Sequence, residues 1–450
     1  MSLFCHSVHH KLDAGTYGQL AKQDTQHAEL LAAPCLPPPK CSVTPWQSSD
    51  GFVGFSTELD VPATWPSSAQ TIEFVWPIVI ANWIEPRCCV RSIEGRNITL
   101  ADPCGALLIK RNVYAKTLAP PVRIEAVPTK TPSPGSFYHD VPTGELFYTL
   151  QSDETVSDLE ARSFTTAMES LLVVSNTSQH SWINVSFQTS TWFQPNTPTG
   201  YVDTQSCVYA SDNTGKAAEP PAAVTISLSS DLEISGCTFS AIGSPYALLA
   251  GSSSHRINIA QSFFYDLSGG AVRELHHCVS CACCHFVISR LLFSGLGNVL
   301  GQHDDETDGS LTLHNNFMKD GGKQYAACAA VFAGYVFNSQ ITSNTITDFA
   351  CKQLRRSMRA ACAVSRADRP FADSSISVGW GWGGTKFLGY GNNTVSFNRM
   401  KRVIAKLRDG GGIYVNGWTN PSYRNTVLLF SHCNPHSRNV IPDELQLVRL

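Results

Sequence analysis

The feature that most constrains this chain is a short pattern that recurs every 25 to 29 residues. It reads "ISGCTF" (234–239), "IAQSFF" (259–264), "ISRLLF" (288–293), "LHNNFM" (313–318), "ITSNTI" (341–346) and "VSFNRM" (395–400). The pattern is an aliphatic residue, a small or polar residue three later, and an apolar residue five later. Its anchors, Ile234, Ile259, Ile288, Leu313, Ile341 and Val395, are 25, 29, 25, 28 and 54 apart. Alternation with a period of two is the signature of a strand, and a repeat of this length is expected to hold one short strand pair and its turns per coil. One such coil cannot bury its own apolar side, so coils must stack on one another. The expected fold is all-β: a right-handed parallel β-helix, or solenoid. "WINVSFQTSTW" (182–192) and "NTVLLF" (425–430) read as coils at either end.

The rest of the chain is organised around that body. Residues 1–50 read as an irregular segment, with "LPPPK" (36–40) as a breaker. Residues 51–180 read as a β-rich N-terminal segment with short alternating apolar runs. Within it, "GSFYHDVPTGELFYTL" (135–150) has the form of a hairpin turning at Pro-Thr-Gly. The β-helix is expected over 181–430, interrupted by an insertion at 351–371, and an irregular tail follows over 431–450. The 54-residue step from Ile341 to Val395 holds one coil and that insertion, which brings six basic residues into a region otherwise poor in charge. A basic lid over a groove is one reading of it. A tolerated surface loop, or a retained intron, is the favoured one. The tail after Phe430 abandons the repeat with no further coil or cap, as a truncated chain would.

Composition narrows the partners. Charged residues make up 15% of the 450, and the formal net charge is −3. Nucleic acid and anionic membranes both want a basic face, so neither is expected as the main partner. No apolar run approaches the ~18–20 residues of a membrane-spanning helix. A neutral ligand such as a polysaccharide or other glycan fits by elimination, and the chain is expected to act as a monomer. The N-terminus lacks the charged and apolar regions of a signal peptide. Sequons at Asn97, Asn176, Asn184 and Asn392, with sixteen cysteines, nevertheless fit a secreted or extracellular chain, and a missing or misassigned first exon is the expectation that reconciles the two.

Two glycine-rich segments stand out near the C-terminal end: "SVGWGWGG" (377–384) and "RDGGGIYVNG" (408–417). Glycine costs about 0.5–1 kcal/mol relative to alanine inside an element, so such runs ask for a reason. Glycines between Trp380 and Trp382 would leave two indole faces open, and a sugar's apolar C–H face suits such a surface. Gly410 to Gly412 would leave Asp409 unscreened. Three coils carry an aspartate seven residues after the anchor: Asp266, Asp320 and Asp348. For Asp266 and Asp320 a backbone-bonding turn role is preferred. Asp348 differs, because its coil runs into the tryptophan segment and the next into "RDGGGIY". Asp348 and Asp409 are therefore expected on neighbouring coils, ~5 Å apart or a little more, the range in which paired carboxylates flank a glycosidic bond. Asp409, solvated by its glycines, would be the charged partner, and Asp348, partly buried, the acid. Trp380, Trp382 and Tyr414 would form the sugar platform, with Arg273 and His303 upstream along the same groove.

Two further clusters read as structural. "HHCVSCACCHF" (276–286) opens with a C-x-x-C spacing, but "CACC" crowds the remainder beyond zinc geometry, so disulfides or free thiols are expected. "GQHDDETDG" (301–309) could offer oxygens to calcium, and a solvated loop is preferred. No metal and no cofactor are expected.

Taken together, "GSFYHDVPTGELFYTL", "SGGAVR" (268–273), "SVGWGWGG", "NNTVSFNRM" (392–400) and "DGGGIYVNG" resemble right-handed β-helix proteins of glycoside hydrolase family 141, over roughly residues 70–430. The resemblance implies a secreted enzyme on plant or algal polysaccharides, of fucosidase or xylanase type. It also implies that the aspartate of "DGGGIY", here Asp409, and one on the preceding coil, here Asp348, are catalytic. The insertion beside Asp348 departs from that pattern. Two readings compete with hydrolysis. A polysaccharide lyase would use Arg273 and the acids of 304–308, and a non-catalytic adhesin or sugar-binding β-helix would need no acid at all.

Overall fold

The structure is a computed structural model. It describes residues 10–12, 43–57, 72–127, 132, 134–140, 145–157, 163–165, 168–212, 214–251, 254–275, 308–334, 336–349, 375–379, 391–403, 411–415, 427–429 and 432–434. The chain divides into two units, one of residues 1–167 with 191–220 and the other of residues 168–190 with 221–450.

The second unit is a right-handed parallel β-helix. Three parallel sheets run its length, each with a main path of seven strands. The first sheet runs Leu172–Ser175, Ala222–Ser227, Tyr246–Gly251, Gly270–Leu275, Val331–Ala333, Ile376–Val378 and Ile413–Val415. The second runs from Ser181–Ile183 to Val427–Leu429, and the third from Ser186–Ser190 to His432–Asn434. Each coil visits the sheets in that order, so its strands pair only with the coils above and below.

The repeat pattern maps directly onto this register. The anchors stack as Trp182, Ile234, Ile259, Leu313, Ile341, Val395 and Leu428, each paired with the next. Ile234 to Val395 are buried, each contributing roughly 1.5–3 kcal/mol by leaving water. The apolar position five later makes a second interior column: Phe187, Phe239, Phe264, Met318, Ile346 and Met400. Its phenylalanines lie face to face, with centroids 4.9 and 4.5 Å apart.

The position three after the anchor forms a buried polar ladder. Asn344 Nδ2 donates to Asn398 Oδ1 at 3.0 Å, and Asn316 Nδ2 to Asn344 Oδ1 at 3.0 Å. Asn316 Oδ1 accepts from the Ser262 backbone, and the Ser262 hydroxyl from the Cys237 backbone. This ladder satisfies backbone groups at the tight bend between the second and third sheets, where burial without partners would be costly.

One expected coil is corrected. Ile259 pairs directly with Leu313, so Ile288 is not a rung of the stack. The step from Ile259 to Leu313 is therefore a single coil, as is the step from Ile341 to Val395. The signal was present: Leu291 stands where the true coils carry Cys, Ser or Asn. Residues 276–307, with the Cys/His cluster, His303 and the acidic run, lie outside the described residues, as does the insertion.

In the first unit, the stretch expected to be irregular carries a strand at Val43–Gln47. It opens a six-stranded antiparallel sheet with Val53–Thr57, Asn97–Leu100, Arg87–Glu94, Glu73–Val75 and Arg123–Glu125. The expected hairpin is present, Phe137–Asp140 against Glu145–Tyr148. The helix Cys104–Arg111 had not been anticipated, and a Cys88–Cys104 disulfide ties it to the sheet. Beneath that sheet lies a buried ion network. Arg87 Nη1 meets Glu73 at 2.9 Å and Glu125 at 2.6 Å, while Arg123 bridges Glu85 at 3.1 Å and Glu125 at 2.7 Å. Three carboxylates share two guanidinium groups. Burial pushes Glu73 up to about 7, with Arg87 offsetting only part of it. Burial also acts on Glu125, but Arg87 and Arg123 outweigh it and bring that carboxyl down to about 2.

Candidate functional site

The coil corner where the third sheet turns toward the first is built from one backbone conformation. Ala241, Asp266, Asp320, Asp348 and Arg402 have φ of 54°, 57°, 58°, 59° and 51°. Aspartate tolerates this left-handed region better than most residues, which accounts for its recurrence seven residues after the anchor. The register stacks Asp266, Asp320, Asp348 and Arg402 on successive rungs, one residue beyond the paired positions Tyr265, Lys319, Thr347 and Lys401.

The three carboxylates have different partners. Lys323 bridges Asp266 and Asp320, meeting the second at 2.9 Å. Asp348 takes a two-pronged contact from Arg402, Nε to Oδ1 at 2.5 Å and Nη2 to Oδ2 at 2.6 Å, and the Thr347 hydroxyl donates to Oδ2 at 2.9 Å. Such bidentate, charge-assisted pairs are among the stronger polar contacts. Asp348 is only 2% exposed. Burial raises its carboxyl, but the hydrogen bonds from Arg402 and Thr347 and the charges of Arg402 and Lys319 outweigh it, so Asp348 stays below the usual carboxylate range. An acid that must hold a proton near neutral pH needs the opposite surroundings. The residue on the rung after Asp348 is Arg402, and the one on the rung before it is Asp320. Asp409 lies outside the described residues, in the 404–410 stretch that begins just past Arg402 and Val403 and ends at the first sheet's last strand.

On the outer side of the first sheet, alternate residues form a column: Leu249, Arg273, Phe332, Ser377 and Tyr414. Their neighbours Val272, Val331 and Ile376 point into the core. Arg273 and Tyr414 thus belong to one column, three rungs and ~14 Å apart. Tyr414 is half-buried, but Arg273 is fully buried. Its guanidinium carbon lies 4.5 Å from the Phe332 ring centroid and 5.4 Å from that of Tyr246, within cation–π range. Gly270 makes the packing possible: a Cβ there would come within 2.3 Å of the Tyr246 ring and 2.2 Å of the Ala329 carbonyl.

The two glycine-rich segments border this column at opposite strand ends. "DGGG" leads into Ile413–Val415, with the Ser375 and Ile376 amides donating to the Gly411 and Gly412 carbonyls at 3.3 and 3.1 Å. These glycines therefore carry ladder bonds as well as neighbouring Asp409. "WGWG" leaves the end of Ile376–Val378 through Gly379, whose φ of 85° needs glycine and whose amide donates to Ala333 O at 2.7 Å. Trp380 and Trp382 lie outside the described residues.

Sequence reasoning missed Arg402, Lys323, Phe332 and Tyr246. Arg402 was readable, since it is the residue seven after Val395. The other three are fixed by register and packing that no local pattern encodes. Among the described residues no group of three or more His, Cys, Asp or Glu could hold a metal ion.

No protein-family model matches the chain, and no curated protein does. Among solved structures, the chain is similar to one described as a glycoside hydrolase. The TM-score is 0.60 at 16% identity, over 85% of this chain and 70% of that one. That likeness establishes the fold. A second, PfbA, a surface adhesin of Streptococcus pneumoniae, is 11% identical over 58% of this chain and 60% of its own, and its TM-score of 0.27 carries no argument.

Proposed function

We propose that this chain is a carbohydrate-active glycoside hydrolase acting on a polysaccharide of the fucosylated or xylan type. The observation that carries the reading is where its distinctive segments attach. Asp348 and the 404–410 stretch holding Asp409 leave the third sheet on neighbouring rungs, and "DGGG" and "WGWG" attach to neighbouring strands of the first. The glycoside hydrolase of similar fold supports the same reading.

In this proposal Asp409 and Asp348 are the carboxylate pair, with roles set by surroundings. Arg402 and Thr347 hold Asp348 ionised, which suits the charged partner acting as base or nucleophile. Asp409 then carries the proton to the departing glycosidic oxygen, reversing the assignment expected from glycine exposure alone. Tyr414 extends the sugar platform of Trp380 and Trp382, Arg273 stiffens the column beneath it, and His303 lies upstream. Arg402, with its side chain 40% exposed, is the group a substrate would meet on its way to Asp348.

One observation favours a non-catalytic sugar-binding role. Both Asp348 oxygens are already committed to Arg402. We also propose an extracellular location, supported by the Cys88–Cys104 disulfide and by Cys89, Cys207 and Cys328, which are disulfide-bonded too. No helix among the described residues is long and apolar enough to cross a membrane. The test is a turnover screen on fucosylated and xylan-type polysaccharides, repeated with Asp348→Asn on any substrate cleaved. Loss of turnover with binding retained supports the pair. Binding without turnover by the wild type selects the sugar-binding role.

A further inference from the structure

The outer side of the third sheet runs up to the corner that holds Asp348 and carries an order of its own. On successive strands its outward positions are Phe263 with Tyr265, Phe317 with Lys319, Thr345 with Thr347, and Arg399 with Lys401. The intervening Phe264, Met318, Ile346 and Met400 point into the core. Phe263 is 52% exposed and Phe317 36%, with ring centroids 6.1 Å apart. At the bend before Arg399, Phe397 is 58% exposed.

Phenylalanine left in water on adjacent rungs has no use in the solenoid's own core. Lys319, Arg399 and Lys401 add three cations to the same strip, in a chain whose formal net charge is −3. The acids of the adjoining corner are largely spoken for: Asp266 and Asp320 share Lys323, and Asp348 is matched by Arg402. The strip therefore keeps a positive balance. Its rungs repeat every ~4.8 Å along the solenoid axis, a length comparable to one sugar unit of an extended glycan.

We propose that the outer face of the third sheet is a second glycan-binding site, and that its ligand is a linear anionic polysaccharide lying along the solenoid axis. Sugar rings rest on Phe263, Phe317 and Phe397, since aromatic faces accept the apolar side of a pyranose. Carboxylate or sulfate groups pair with Lys319, Arg399 and Lys401. The charge of the strip sets the ligand class, because a neutral glycan would leave its surplus positive charge unmatched. The inference rests on the carbohydrate reading for the class of ligand and narrows it to acidic chains. It needs no catalysis.

The experiment is affinity electrophoresis of the full chain through polygalacturonate, a sulfated fucan and neutral xylan, at low and high salt. The wild type should be retarded by at least one polyanion, with the retardation falling steeply as salt rises, and by xylan much less. Lys319→Ala/Arg399→Ala/Lys401→Ala should weaken binding at least tenfold, and Phe263→Ala/Phe317→Ala several-fold. Both sets replace outward side chains, so melting should hold. Lys319→Arg/Lys401→Arg should keep the binding, which separates charge from fold. No retardation by either polyanion overturns the proposal. So does retardation that both variant sets leave unchanged. Self-association that Phe263→Ala abolishes, or capture by phosphatidylserine vesicles in place of glycans, shows a different occupant and also overturns it. Asp409→Asn distinguishes the two readings. If neither it nor the wild type turns over any substrate while polyanion retardation persists, the hydrolase proposal falls and this site stands.

Discussion

The two units handle buried polarity in opposite ways. At the bend between the second and third sheets of the β-helix it is neutral and repeated: Asn316, Asn344 and Asn398 each perform the same task one coil apart, while its buried charges, Arg273, Asp266 and Asp348, lie elsewhere. In the first unit it is charged and used once, in the knot of Glu73, Glu85, Glu125, Arg87 and Arg123. A ladder distributes its contacts, and every rung satisfies its own bend. A knot concentrates them, so its members stand or fall together and its charge balance makes it sensitive to pH. The difference also explains why the coil register can be read from sequence and the ion network cannot.

The largest effect is expected where the solenoid is least forgiving. Ile341→Asp places a carboxylate between Leu313 and Val395 in the interior stack, where an unpaired charge has no partner and the coil cannot close. The variant should fail to accumulate as folded protein. A soluble form with the parent's cooperative melt would mean that the stack is not the core.

Next comes the knot. Arg87→Met removes the cation shared by Glu73 and Glu125 and leaves buried acids with one guanidinium, a loss of about 3–5 kcal/mol in comparable cases. Chemical denaturation should show it in the first unit. A change under 1 kcal/mol would mean that the network contributes little, and the contrast between the units would collapse.

The β-helix was legible because its periodicity repeats the same physical demand. Ile234, Ile259, Leu313, Ile341 and Val395 announced the stack, and the small or polar residue three later belonged to the same pattern, although its role at the bend shows only in the structure. Ile288 misled because "ISRLLF" keeps the aliphatic anchor and the apolar residue five later without the polar residue that the bend requires. The first unit gave no such repetition. Its ion network joins Glu73 to Glu125 across 52 positions of sequence, and nothing local at either residue signals the other. The candidate site was half legible. Glycine clusters and the recurrent aspartate could be seen, while the ionised state of Asp348 depended on Arg402 in the next coil.

A smaller loss should follow from cutting one rung of the ladder. In Asn344→Ala, the Asn316 backbone amide and the Leu313 carbonyl each lose the Asn344 side chain as a partner, and the Asn316 side chain loses one of its two acceptors and keeps the Ile259 carbonyl. Each buried group left unsatisfied costs about 1–3 kcal/mol, so the loss should stay near that of one or two groups as the neighbouring rungs hold. Complete unfolding would show the ladder to be as cooperative as the knot.

The smallest effect is the dependence on pH. Glu73, raised to about 7, contributes stability that is present below pH 4.5 and lost as pH climbs through 7. Glu125, lowered to about 2, contributes stability present above pH 4.5 and lost as pH falls toward 2. The first unit should therefore weaken between pH 5 and 8, and Glu73→Gln should flatten that slope and raise melting at pH 8, by roughly 2–4 °C per kcal/mol recovered. An unchanged slope in Glu73→Gln would assign the dependence to another group.

The central proposal is a hydrolytic site in which Asp409 serves with Asp348. Its most direct measurement is the rate of reducing-end release by the wild type and by Asp409→Asn on a polysaccharide that the wild type cleaves. General acid–base assistance contributes about 10²–10⁴-fold. Asp409→Asn should therefore lose at least a hundredfold in rate while binding the substrate as tightly as before. A variant that keeps more than a tenth of the wild-type rate would contradict the account and make Asp409 structural.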